Sequence, residues 1–176
     1  MKNPKILALL AVLLFSPVLA HATDMESGFG FYQINDVKMN IEDHVVKWDE
    51  EKNSLEVILT PSKLSSEEKT AMVDDPVRFS LPGFKESPNT EVWKNYPYVQ
   101  LSISFKSEEV NLENLRAVSV NTFGVEGEGG NTFFSIFKSD LNLTDLNFKD
   151  GKLEMKFSGN KKGYPDGEYS WQIDLK

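Results

Sequence analysis

The sequence lacks cysteine altogether, and its 176 residues include only two histidines, His21 and His44. Without cysteine the chain can form no disulfide, no thiol nucleophile and no cysteine-rich zinc site. A Ser-His-Asp site would have to use His44, because His21 lies in an N-terminal segment that we expect to be removed. A solvated or capped histidine beside Asp43 explains His44 better than a catalytic one. We therefore assign no catalytic residue and favour a protein that is not an enzyme.

Basic residues are fewer than acidic ones: the sequence has 19 Lys and Arg and 27 Asp and Glu, which gives a formal net charge of −8. A negative surface repels phosphate backbones and anionic lipid headgroups, so we expect no nucleic-acid partner. Beyond residue 22, no apolar run is long enough to span a bilayer, and we expect no membrane insertion.

Residues 1–22 have the pattern of a secretory signal peptide. Lys2 and Lys5 precede an apolar run over residues 6–15, and Ala20-His21-Ala22 supplies small residues before a cleavage point. The apolar run is about half as long as the roughly 20 residues that a membrane-spanning helix needs. We expect cleavage after Ala22, a mature single domain at residues 23–176, and a secreted or periplasmic location.

Short alternating segments typical of β-strands make up most of the remaining chain. The clearest is near the C-terminus, where Leu153, Met155 and Phe157 alternate with charged residues, and residues 169–175 repeat the pattern. Successive side chains of a strand point to opposite faces, so each segment has one apolar and one polar face. Asp150-Gly151 before the first of them is a turn signal, which indicates an antiparallel hairpin.

Roughly nine or ten such strands with one short helix predict an all-β domain. We favour an antiparallel two-sheet sandwich of the jelly-roll type, and a closed or half-open β-barrel is the alternative. The helix begins after Ser65, which can form a capping box with Glu68, and ends before Pro76. A helix of two or three turns cannot stand alone, so we expect it to pack on the β-domain as a lid or plug.

Trp93, Tyr96 and Tyr98 lie around a proline in an irregular segment, with Asn89 and Asn95 nearby. Aromatic rings displayed on a β-sandwich can stack on sugar rings, and amide groups can bind sugar hydroxyls. These five residues are our candidate ligand-binding residues. The alternative is that the rings pin a long loop to the core, since aromatic side chains bury large areas.

A glycine-rich loop at residues 124–131 contains Glu126, Glu128 and Asn131. These three residues offer the hard oxygen ligands that calcium prefers, and we name them as a candidate calcium site. A mobile hairpin loop explains the same glycines, and the sequence matches no known calcium-binding loop. No other cofactor is indicated.

These observations favour an exported, non-enzymatic β-sandwich that binds a carbohydrate or a protein partner, such as an envelope protein, through its loops. A second hypothesis is a structural protein that self-assembles through the edges of its sheets. Lysines protect sheet edges, and four of them lie near the last hairpin, so we expect a monomer. These four are Lys152, Lys156, Lys161 and Lys162.

A third hypothesis is a glycoside hydrolase that uses two carboxylates. Such chemistry needs two carboxyl groups held roughly 5 to 10 Å apart. Glu154 and Glu168 form one candidate pair, and Glu126 and Glu128 another. The chain has so many acidic residues that a pair of this kind carries little weight.

Overall fold

The computed structural model describes residues 28–74, 97–125, 131–162 and 167–176. Within these ranges the first half of the fold consists of β1 (Gly30–Ile34), β2 (Val37–Asn40), β3 (Asp43–Asp49), β4 (Ser54–Thr60), α1 (Ser66–Asp74) and β5 (Tyr98–Phe105). The second half consists of β6 (Leu115–Phe123), β7 (Asn131–Phe137), a 3₁₀ turn (Lys138–Asp140), β8 (Asn142–Lys149), β9 (Lys152–Lys162) and β10 (Glu168–Leu175). The expected signal peptide lies outside the described residues and stays a prediction.

The strands form two separate antiparallel sheets, which confirms the predicted two-sheet sandwich. Sheet I has the order β2-β1-β10-β9-β8, and sheet II has the order β3-β4-β5-β6-β7. Each sheet is a meander, except that β10 pairs with β1 and so joins the two ends of the described chain. This order differs from the Greek-key order of a jelly roll.

The hairpin of β9 and β10 has the alternation that its sequence predicts. Its inward side chains are buried in the core between the sheets, and its outward ones are mostly charged or polar. The turn before β9 places Asp150 and Gly151 at φ 51° and 76°, the pair of positive angles that suits a tight hairpin. The buried set is Leu153, Met155, Phe157, Tyr169, Trp171, Ile173 and Leu175.

Helix α1 covers part of the outer face of sheet II, as predicted for a lid. Its capping box is formed: the Glu68 amide donates to Ser65 Oγ at 3.2 Å, and the Ser65 amide donates to Glu68 Oε2 at 2.7 Å. Met72 of the helix is fully buried against Ile58 and Tyr98. Sheet II therefore has apolar contacts on both faces. No helix in the described part of the chain is long and apolar enough to cross a membrane.

Candidate functional site

Tyr98 is the one predicted ligand-binding aromatic residue that the structure describes, and it lies in the core. It is 2% exposed, and its ring stacks on Phe123 with the ring centroids 4.4 Å apart. This is the alternative that the sequence left open, in which a ring pins the chain to the body of the domain. The other four candidates, Asn89, Trp93, Asn95 and Tyr96, lie outside the described residues.

The candidate calcium ligands are not brought together by any described contact. Glu126 and Glu128 lie outside the described residues, and Asn131 begins β7 with a side chain that is also outside them. In the ranges given above, no three acidic or histidine side chains converge as a metal site would require. The calcium site stays a prediction.

His44 and Asp43 do not form a catalytic couple. Asp43 accepts hydrogen bonds from the His44 backbone amide at 2.8 Å, from Lys69 Nζ at 2.7 Å and from the Leu64 amide at 2.9 Å. The His44 ring packs edge-on against Phe29, 4.8 Å between centroids. Asp43 therefore ties β3 to the start of α1 and does not orient the imidazole.

The carboxylates of Glu154 and Glu168 are too far apart for glycoside hydrolysis. Glu168 pairs with Lys162 at one end of β9, and Glu154 lies eight residues back along the same strand. At about 3.3 Å per residue, this separation is about 26 Å, well beyond the roughly 5 to 10 Å that the reaction needs. Each carboxylate instead contacts a neighbouring side chain, Glu154 with Asn147 and Glu168 with Lys162.

A cleft of about 470 Å³ opens at the side of the sandwich, where β7 of sheet II faces β9 of sheet I. We call it the lateral cleft. Its size falls within the range of ligand-binding pockets. Its walls are Ser135, Ile136 and Phe137 of β7, Asp140 of the 3₁₀ turn, Asn142 of β8, Ser158, Gly159, Asn160 and Lys161 of β9, and Trp171 of β10.

Trp171 and Gly159 face each other across β10 and β9 inside this cleft. A Cβ atom on Gly159 would lie 2.7 Å from Trp171 Cζ2, so only glycine leaves room for the indole ring. Trp171 is 4% exposed, and its buried indole N–H has no acceptor among the described residues. Buried hydrogen-bond donors nearly always have an acceptor, so a buried N–H without one is unusual and suggests that an acceptor from a bound molecule could pair with it.

The polar groups of the lateral cleft are fixed by contacts with one another. Asn142 donates to Ser158 Oγ at 2.7 Å, which joins β8 to β9 at the wall. Lys161 Nζ reaches across the space between the sheets to the Ser135 carbonyl oxygen, 3.5 Å away, and lies 5.0 Å from the Phe134 ring centroid. Phe137, 67% exposed, stands at the rim. The cleft thus combines amide, hydroxyl and aromatic groups.

The cleft was not predicted from the sequence, because its residues come from five separate elements. The one local signal was Gly159, a glycine in the interior of a regular strand, which often marks the close approach of another group. Here that group is the Trp171 ring. Asn142, Ser158 and Lys161 are ordinary strand residues until the fold brings them together.

No protein-family model matches the chain, and comparisons with curated proteins and with solved structures find no match either. The geometry of the cleft is therefore the basis on which a function can be proposed.

Proposed function

We propose that the protein is an exported, non-enzymatic binding protein that holds a carbohydrate in the lateral cleft. The observation that carries the proposal is that Trp171, a residue of the cleft wall, has a buried indole N–H with no acceptor among the described residues. A sugar hydroxyl oxygen is an acceptor that could pair with it. Binding would then satisfy a donor that is otherwise buried at a cost.

The remaining walls suit a sugar ring, which has polar edges and apolar C–H faces. The amide of Asn142, the hydroxyl of Ser158 and the amide of Asn160 can each donate and accept hydrogen bonds. The exposed ring of Phe137 at the rim offers an apolar face for stacking. Ligand pockets commonly have this composition, with a few polar groups placed among apolar ones.

Both signs of charge are present in the cleft, and this favours a neutral ligand. Asp140 and Lys161 lie on its walls, so neither an anionic nor a cationic ligand meets a field of a single sign. A neutral sugar avoids the desolvation cost that a charged ligand would bring.

The test is titration of the mature chain with a panel of neutral mono- and oligosaccharides, followed by two-dimensional ¹H–¹⁵N NMR of the indole N–H groups. A bound sugar should shift the Trp171 indole resonance by a saturable amount. Asn142→Ala should weaken binding about tenfold or more, because it removes a hydrogen-bonding group from the wall.

Two matched controls separate the cleft from the rest of the surface. Asn147→Ala changes another asparagine of β8, which bonds to Glu154 outside the cleft, and should leave binding unchanged. Phe137→Ala should weaken binding, whereas Phe133→Ala, on the same strand but not in the cleft wall, should not. If no sugar shifts the Trp171 resonance, or if Asn147→Ala weakens binding as much as Asn142→Ala, the proposal is wrong.

A further inference from the structure

Among the described strands four lie at sheet edges, and three of these carry features that hinder pairing with another strand. Strand β2 has only four residues and includes Lys38. Strand β3 contains Lys47, whose ammonium donates to the Val73 carbonyl of the adjacent α1 at 2.9 Å. Strand β8 breaks register between Thr144 and Asn147. Short strands, lysines, bulges and covering helices are the usual means by which proteins protect sheet edges.

Strand β7 has none of these features within its own sequence. Its sequence, NTFFSIF, contains no charged residue and no proline. It pairs with β6 over seven residues without a break in register, and no described strand pairs with its other side. Phe133 and Phe137 point to the outer face, where they are 53% and 67% exposed. An edge of this kind is able to accept another strand.

Not all of the four lysines that the sequence led us to regard as edge protection lie at a free edge. From Met155 to Ser158, β9 lies inside sheet I, paired with β8 on one side and with β10 on the other. Lys156 therefore does not protect a free edge. Only Lys161 approaches β7, through its contact with the Ser135 carbonyl.

The spacing of the exposed rings makes β7 complementary to itself. If two copies pair antiparallel about a two-fold axis at Ser135, then Phe133 of each copy faces Phe137 of the other. Directly opposed side chains on one face of an antiparallel pair lie about 4.5 to 5.5 Å apart, close enough for aromatic contact. Both exposed rings of each copy would then be buried by one symmetric interface.

We propose that two copies of this chain associate through β7, in this register, to form one continuous ten-stranded sheet from two copies of sheet II. An uncharged strand lets two negatively charged chains approach without like charges meeting on the strand itself. The pairing covers about five residues of each copy, so the dimer is weak and forms as the concentration rises. The dimer would bury Phe137, which also stands at the rim of the lateral cleft, so dimerisation and sugar binding should compete, although different observations support the two proposals.

Lys161 limits the strength of this association. Its ammonium lies 3.5 Å from the Ser135 carbonyl, so the two-fold axis brings the Lys161 residues of both copies near each other. Their repulsion opposes pairing and is screened by salt. Lys161→Gln should therefore strengthen the dimer, and salt should strengthen the wild-type dimer more than that of the variant.

The absence of cysteine allows a direct test of the register by disulfide cross-linking of the full mature chain. Ser135→Cys should cross-link to itself under oxidising conditions, because the two-fold axis places the residue opposite its own copy. Phe133→Cys alone should not, whereas a mixture of Phe133→Cys and Phe137→Cys should. Cross-linking of Phe133→Cys to itself at the same rate as Ser135→Cys would overturn the register.

Sedimentation velocity over a concentration series tests the association without cysteine. Phe133→Lys should weaken the dimer about tenfold, because it removes the aromatic pairs. Val37→Lys also replaces an exposed apolar residue with lysine, here at a position of the edge strand β2 that is 48% exposed. It should leave the dimer intact. The proposal is wrong if Val37→Lys weakens the dimer equally, or if both the wild type and Lys161→Gln stay monomeric at every concentration. Circular dichroism checks that each variant is folded. Because Phe133 lies outside the wall of the lateral cleft, Phe133→Lys should still bind sugar even where it no longer forms the dimer.

Discussion

The outer faces of the two sheets differ in what covers them. On sheet I, the outward residues of β9 include Lys152, Glu154 and Lys156, all exposed. On sheet II, every residue of β4 is buried, and α1 packs over part of the outer face. Sheet I is thus buried on one side only, as antiparallel sheets commonly are, whereas sheet II is the middle layer of that part of the molecule.

This difference explains where buried polar residues occur. Glu56 of β4 points to the outer face of sheet II, yet it is 2% exposed. It accepts hydrogen bonds from Ser54 Oγ at 2.9 Å, from Gln100 Nε2 at 3.2 Å and from Ser102 Oγ. A carboxylate in such a place is tolerated because hydrogen bonds replace the water that it loses. On sheet I, the outward carboxylates of Glu154 and Glu168 are exposed to water.

The largest expected effect concerns the core that both sheets share. Trp171→Ala should lower the free energy of unfolding by about 3 to 5 kcal/mol, because it removes a buried ring from between the sheets. Trp48→Ala, at a tryptophan of sheet II that is only partly buried, should cost clearly less. Urea denaturation of both variants measures the difference. Equal losses would mean that the two sheets contribute alike to the shared core.

A smaller effect compares the outer faces themselves. Glu56→Ala should cost about 1 to 3 kcal/mol, because it leaves the donors of Ser54, Gln100 and Ser102 buried without their acceptor. Glu154→Ala makes the same change on the exposed face of sheet I and should stay within about 0.5 kcal/mol of the wild type. Urea denaturation is again the measurement. A large loss for Glu154→Ala would remove the distinction between the two faces.

The smallest effect is a pH dependence at the edge of sheet II. Burial lowers the pKa of His44 below its ordinary value of 6.5, and the nearby Asp43 carboxylate opposes this only in part. The folded state therefore favours neutral His44, so its contribution to stability is complete above pH 6.5 and is lost as the pH falls through the lowered pKa. His44→Gln should reduce the loss of stability between pH 7 and pH 5. An unchanged pH profile would show that His44 is not the titrating group.

Asp43 affects the free energy of unfolding at lower pH than His44 does, so it does not contribute to the change measured between pH 7 and pH 5. Burial acts to raise the pKa of Asp43, but hydrogen bonds from Lys69, Leu64 and His44 together outweigh it and hold the pKa below its ordinary value of 3.8. The stabilisation by Asp43 is therefore present above pH 3.8 and is lost only as the pH falls further. Measurements between pH 7 and pH 5 report His44 alone of these two groups.

The buried face of a strand could be predicted from the sequence where its other face is exposed to solvent. Residues 152–158 of β9 and the whole of β10 alternate between apolar and polar residues, so their inward faces could be named from the pattern. Strand β4 carries Ile58 on its outward face, where α1 covers it. A strand that is buried on both faces shows no simple alternation of apolar and polar residues. In β1, Phe31, Tyr32 and Ile34 place apolar residues on both faces, and pairing with β10 determines that Tyr32 and Ile34 are the buried ones.

The sequence by itself determined the class of the fold, the capped helix and the absence of thiol chemistry, because alternation, capping and composition are properties of neighbouring residues. The tertiary structure alone decided that β7 is an edge strand, that Tyr98 is buried, and that Gly159, Asn142 and Trp171 meet at one cleft. Each of these depends on which strands become neighbours. Strand order is a property of the whole chain, since the free energy of burying two faces together is gained only when distant segments meet.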